Sequence, residues 1–228
     1  MDFLKYTHPL TSLVLLIAFE FTSIPASIAE VANGIPATTV VPVQRTVSWW
    51  AARHQGRLAR IRQGDVDLLL IGDSITQGWE SEGRHIWDIY YGRRHAVNLG
   101  FNGDRTEHVL WRLDHGEIEG ITPKLAVVMI GTNNTGAGND PLETAAGIQA
   151  ILTTLCTNLP GSKILLLGVF PRNGSADDPL RRLNVALNDR IRVFSDNQQV
   201  FFLDLSRLFL DGQGRLSPRP YARFPSPQ

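Results

Sequence analysis

Ser74 sits where a serine hydroxyl can be made reactive. It follows the apolar run Leu68 to Ile71 and the break Gly72-Asp73, and it opens a helical turn through Ile75-Thr76-Gln77. A short apolar run bounded in this way reads as a buried strand. The hydroxyl is then lifted out at the strand's carboxyl end, with a helix N-terminus aimed at it. Such an end has unpaired N–H donors and a partial positive charge, which stabilise a developing oxyanion. Two more strand ends carry matching chemistry: Gly100, closing the run from His95 to Leu99, and Asn133, in Gly131-Thr132-Asn133-Asn134 after the run from Lys124 to Ile130. In an open parallel sheet, ligands bind outside the carboxyl ends of the strands. The three ends suggest a hydroxyl nucleophile with an oxyanion hole built from the Ser74 N–H, the Gly100 N–H and the Asn133 amide. Asp73 is expected to brace the nucleophile's turn through hydrogen bonds. Asp73, Asn98 and Arg172 are the candidate substrate-binding residues beside it.

The elements that must position these residues alternate between apolar runs and helical patterns at the spacing of β-α units. Further strands are expected at Lys163 to Val169 and Val200 to Leu205, and helices at Thr106 to Leu113 and from Pro179 to about Phe194. Between them, Asp140 can cap a helix, Pro141 takes its first position, and Glu143 completes a capping-box pattern. Leu142, Ala145, Ile148, Leu152, Leu155 and Leu159 then form one apolar stripe. The fold class expected is α/β: three layers, with five parallel strands in the flavodoxin-like order 2-1-3-4-5 and helices on both faces. Trp49-Trp50 and the stretch from Arg53 to Arg62 suggest a first helix, its aromatics packed on the domain and its arginines on a solvated face.

Composition sets the outer limits. The chain has 228 residues, 43% of them hydrophobic, which suits one domain after a targeting segment. Lys+Arg 22 against Asp+Glu 22 leaves no net charge for a polyanion, so nucleic acid is not an expected partner. The single cysteine, Cys156, excludes an internal disulfide and reads as a buried structural thiol. Residues 1–29 resemble a secretory signal, with Lys5, an apolar centre from Leu10 to Phe19, and the small residues of Ser27-Ile28-Ala29. That centre is too short to span a bilayer, and a secreted or periplasmic location follows. Residues 30–46 read as an extended linker, 47–216 as the domain, and 217–228, crowded with Pro218, Pro220, Pro225 and Pro227, as a disordered tail.

With these motifs in hand, the chain resembles the SGNH (GDSL-type) hydrolases, and within them the acetylhydrolases similar to the alpha-type subunits of platelet-activating-factor acetylhydrolase. The resemblance runs from about Trp49 to Leu216. It is carried by Gly72-Asp73-Ser74-Ile75-Thr76, by Asn98-Leu99-Gly100-Phe101-Asn102-Gly103-Asp104-Arg105-Thr106 with His108-Val109-Leu110-Trp111-Arg112-Leu113, by Gly131-Thr132-Asn133-Asn134, and by Gly168-Val169-Phe170-Pro171-Arg172. It implies that Ser74 is the nucleophile and that Gly100 and Asn133 are oxyanion donors. It further implies hydrolysis of a small acyl-ester substrate, acetyl for preference, through an acyl-serine intermediate, with no metal or cofactor, in a possible homodimer.

The family also carries a late Asp-x-x-His before a final helix, and here the chain departs from it. The six histidines, His8, His54, His85, His95, His108 and His115, all precede the third strand. The triad histidine and aspartate are therefore not found, and the fold is expected to lack its last helix. Serine is a weak nucleophile without an adjacent base, and loss of the base costs on the order of 10⁶ in turnover in a comparable enzyme. An impaired esterase is expected, read as a truncated or frame-shifted copy. The rivals are a non-catalytic binder of acylated ligands or partners and a non-functional product. His108 is expected to be structural, and Asp204 to cap a turn rather than to orient a base.

Overall fold

The computed structural model describes residues 38–217. The expected signal sequence, the part of the linker before residue 38 and the tail from residue 218 lie outside the described residues.

Strands β1 (Leu68–Gly72), β2 (Ala96–Gly100), β3 (Leu125–Met129), β4 (Lys163–Leu167) and β5 (Val200–Leu203) form one sheet. Their order is β2-β1-β3-β4-β5 and every pairing is parallel, as the alternation of runs predicts. All of β1 is buried, because a central strand covered on both faces has no side to give to water. From β1 the chain steps one way to β2, then back across to β3. Right-handed crossovers in opposite directions put the connecting helices on opposite faces of the sheet. In such a sheet ligands bind outside the carboxyl ends of the strands at the reversal, where Ser74 and Asn133 follow their strands and Gly100 closes β2.

The helices are α1 (Ser48–Ile61), α2 (Ser74–Gln77), α3 (Arg84–Tyr90), α4 (Thr106–Arg112), α5 (Thr132–Gly136), α6 (Pro141–Asn158) and α7 (Pro179–Ile191). Helix α6 starts where expected: Asp140 Oδ1 accepts from Leu142 N at 2.7 Å, and Pro141 occupies the first turn. Glu143 does not close the box; its carbonyl instead takes the Thr39 hydroxyl at 2.6 Å. The stripe it heads buries Ala145, Ile148, Leu152, Leu155 and Leu159 against sheet residues such as Val128, Ile164 and Leu166. Each large side chain buried there contributes about 1.5–3 kcal/mol. No helix among the described residues is long and apolar enough to cross a membrane.

Three expectations are corrected. The described part of the presumed linker belongs to the domain. Residues Thr38–Val40 form a 3₁₀ turn with Thr39 fully buried, the Thr106 hydroxyl donates to Thr39 O at 2.9 Å, and Val43 N donates to Glu107 O at 3.0 Å. Sequence composition misses this because the segment satisfies its backbone against α4 and α6 rather than through a repeat of its own. The arginines of α1 are likewise not simply solvated. Arg53 pairs with Glu80 at 2.8 Å and donates through Nε to Gly100 O at 2.8 Å, and Arg57 also pairs with Glu80. Cys156, expected to be buried, is half-buried against the core and free.

Candidate active site

The turn carrying Ser74 is braced as its sequence requires. Asp73 is buried, and its Oδ1 accepts from Ile75 N at 3.0 Å, which ties the residues on either side of the serine. Gln77 N donates to Asp73 O at 2.9 Å and closes the turn. Ser74 itself is exposed, and its hydroxyl makes no hydrogen bond among the described residues. With only four residues, α2 has little macrodipole. The local asset is its unpaired N–H groups. Desolvation raises the Asp73 carboxyl from 3.8 to about 6, helped by the nearby Asp104 and opposed by the Ile75 N–H and the Arg172 charge.

That turn is seated on the end of β2. Gly72 and Gly100 are register partners, so the two tips end level. A Cβ on Gly100 would fall on Gln77 N and come within 2.6 Å of Thr76 C and 2.8 Å of Thr76 Cβ; one on Gly72 would lie 2.5 Å from Met129 O. Only bare backbone lets the nucleophile's turn lie this close to both strands. Asn98 is the clamp: its Nδ2 donates to Thr76 O at 2.8 Å and its Oδ1 accepts from Gly100 N at 2.8 Å. Asn98, expected to touch substrate, thus holds the turn, and the Gly100 N–H expected to point at an oxyanion is engaged by Asn98. To serve an oxyanion that N–H must be shared or released.

Asn133 is placed by a neighbouring loop. Its Nδ2 donates to Asp104 O at 2.8 Å, which leaves the amide's second N–H. Asp104 is fully buried, and its carboxylate accepts from Trp50 Nε1 at 2.8 Å and from Arg112 Nε at 2.9 Å. Arg112, also fully buried, pairs in turn with Glu117, which meets His54 Nδ1 at 3.0 Å. A buried charge network therefore stands behind the loop that positions Asn133. Burial still raises the Asp104 carboxyl above its ordinary value, despite Arg112, Trp50 and Arg45.

Asn133 and Arg172 share a cavity of about 480 Å³, which is also lined by Arg45, Arg105, Gly103 and His108. Ser74 is not among its lining residues. Arg172 Nη1 donates to Thr132 O at 2.9 Å. His108 is structural, as expected: its Nδ1 accepts from Arg105 N at 3.0 Å as part of a cap on α4. Burial and the charges of Arg105, Arg45 and Arg112 hold it down at about 3, which makes it a poor base. Arg45, Arg105 and His108 were not expected at the site. They come from segments with no common period; Arg105 and His108 lie in the motif that follows β2, and nothing in the sequence pointed to Arg45.

Three of the remaining described histidines are held by other partners and the fourth is exposed. His54 is buried on Glu117, His95 pairs with Asp65 and Asp67 before β2 begins, His115 stacks on Trp111, and His85 is exposed on α3. None is hydrogen-bonded to Ser74; His8 lies outside the described residues. Asp204 Oδ1 accepts from Ser206 N at 2.8 Å, the turn cap expected of it. No group of three or more His, Cys, Asp or Glu among the described residues could hold a metal ion.

Comparison with known proteins gives this geometry a family. Residues 70–222 match the GDSL-like lipase/acylhydrolase family, so the chain belongs to that hydrolase family. Human platelet-activating factor acetylhydrolase IB subunit alpha2 is 37% identical over 169 residues, covering 74% of this chain and 72% of that protein. Among solved structures, a GDSL-like lipase from Bacteroides thetaiotaomicron has a TM-score of 0.57 at 20% identity, covering 74% of this chain and 84% of that one. The acetylxylan esterase Axe2 from Geobacillus stearothermophilus has a TM-score of 0.52 at 20% identity, covering 64% and 78%. At these identities the two structures support the fold.

Proposed function

We propose that the protein is an exported serine esterase that takes short acyl groups, acetyl foremost, from esters of a lipid or a carbohydrate onto Ser74. The observation that carries this reading is the exposed Ser74 hydroxyl, with no hydrogen bond among the described residues, on a turn that Asp73 braces and Asn98 clamps to the end of β2. Its oxygen attacks the acyl carbon and gives its proton to solvent water, the bond to the leaving alcohol breaks as that oxygen takes a proton from solvent, and water then releases the acid from the acyl-serine and restores the Ser74 hydroxyl. Charge on the carbonyl oxygen is met by the Ser74 N–H, the free N–H of Asn133 and, once released from Asn98, the Gly100 N–H. Acetyl is favoured by the acetylhydrolase relative, and export by the Lys5 to Ala29 pattern. The proton leaving Ser74 finds no histidine bonded to it among the described residues, so turnover is slow.

That same observation favours a second reading, a binder of acylated ligands that does not turn over. Treatment with a fluorophosphonate and with 4-nitrophenyl acetate, wild type beside Ser74→Ala, separates the two. Ser74-dependent labelling with ester cleavage supports the esterase. Ligand binding with neither supports the binder. Labelling that persists in Ser74→Ala removes Ser74 from the mechanism.

A further inference from the structure

We infer that the arginine-lined cavity beside Asn133 is a subsite for an oxyanion group, phosphate or carboxylate, carried by the ester; this rests on Ser74 being the nucleophile. The whole chain is formally neutral, yet the cavity gathers Arg45, Arg105 and Arg172 with His108 and Asn133, and no carboxylate lines it. The carboxylates that pair with two of these arginines are not among its lining residues, although Asp104 Oδ1 lies 3.9 Å from His108 Nδ1. Asp104 is fully buried among Trp50 and Arg112 and reaches Arg45 only at 3.4 Å, and Glu107, itself buried, holds Arg105 at 2.8 Å. Arg172 has no ion pair among the described residues; its Nη1 donates to the Thr132 carbonyl and lies 3.5 Å from the Thr132 hydroxyl. Guanidinium groups present paired donors that fit planar or tetrahedral oxyanions, which an alcohol or amide could not repay as well.

The other polar groups agree. His108 accepts from Arg105 N through Nδ1, so in its neutral form the proton is on Nε2, a further donor. The arginines that depress its pKa make the local potential positive. Asn133 belongs both to this cavity and to the candidate oxyanion hole, and the Arg172 charge is felt at Asp73, next to Ser74. An ester whose anionic substituent is held here therefore has its acyl group delivered near the nucleophile.

The test measures binding of phenyl phosphate, benzoate and neutral benzamide by calorimetry to wild type, Arg172→Gln, Arg105→Gln and Ser74→Ala. The rate of fluorophosphonate labelling of Ser74 is followed with each ligand present. Both anions are expected to bind wild type and Ser74→Ala alike, to bind about 10–100-fold more weakly to each arginine variant, and to slow labelling. The tighter of the two names the source of the oxyanion. Two arginine variants guard against one that misfolds. Benzamide binding as well as the anions, or anion binding unchanged in both arginine variants, overturns the subsite. Labelling of Ser74 without any anion binding overturns the subsite and leaves the nucleophile standing. Anion binding without labelling refutes the Ser74 reading, and with it the role of the cavity in substrate binding.

Discussion

Replacing Asp73 by asparagine isolates what burial does to the turn under Ser74. Raising a carboxyl from 3.8 to about 6 costs the charged folded state about 3 kcal/mol at 1.36 kcal/mol per pKa unit. The sign follows from proton binding. Between those two values the folded chain holds the proton that the unfolded chain has lost, so Asp73 is most favourable below about pH 4 and its contribution falls as pH rises through 6. Asparagine keeps an acceptor for Ile75 N and carries no charge, but brings an NH₂ that needs a partner, at a cost of about 1 kcal/mol. That cost is the same at both pH values, so Asp73→Asn is expected to gain about 2–3 kcal/mol on wild type between pH 4 and pH 8. Urea unfolding of both proteins at the two pH values gives that double difference. His108 pulls the other way, losing stability as pH falls below its ordinary value, but it is common to both proteins and cancels. A variant-to-wild-type gap equal at both pH values would show that the carboxyl titrates as it does in the unfolded chain, and would refute the account of the turn.

Arg112→Met should destabilise the fold by about 3–5 kcal/mol in urea, because it leaves Asp104 and Glu117 buried without their cation. A loss below about 1 kcal/mol would mean that those carboxylates are neutral in the folded protein. Gly100→Ala should cost about 1–3 kcal/mol and slow fluorophosphonate labelling of Ser74 by at least about 10-fold, since the new methyl meets backbone of α2 that cannot swing aside. Thermal melting and the labelling rate measure the two effects, and a wild-type labelling rate would show that the α2 turn is free to move.

The parts of the molecule legible in the sequence are those encoded locally. Leu68 to Ile71 announces a central strand because both its faces are buried, and Asp140-Pro141 marks a helix start by chemistry within a few residues. The 2-1-3-4-5 order follows because short β-α units leave few other ways to close the sheet. Less was visible where a residue acts at long range. Asn98 looked like a substrate contact but spends both ends of its amide on Thr76 and Gly100. Arg53 looked like one of a solvated row, yet it reaches the Gly100 carbonyl. Arg45, Arg105 and Arg172 meet in one cavity only because the loops after β2, β3 and β4 and the segment before α1 end on the same side. No periodicity reports such a meeting.

Asp104 answers to α1 through Trp50, to α4 through Arg112 and to α5 through Asn133. A residue with so many dependants cannot drift alone: exchanging its carboxylate strands an indole and a guanidinium at once, and loosens the main chain whose carbonyl holds the Asn133 amide. Descendants of this chain should therefore keep or lose Trp50, Asp104 and Arg112 as a block. Their joint loss in a homologue would mark a protein that has stopped holding Asn133 in place.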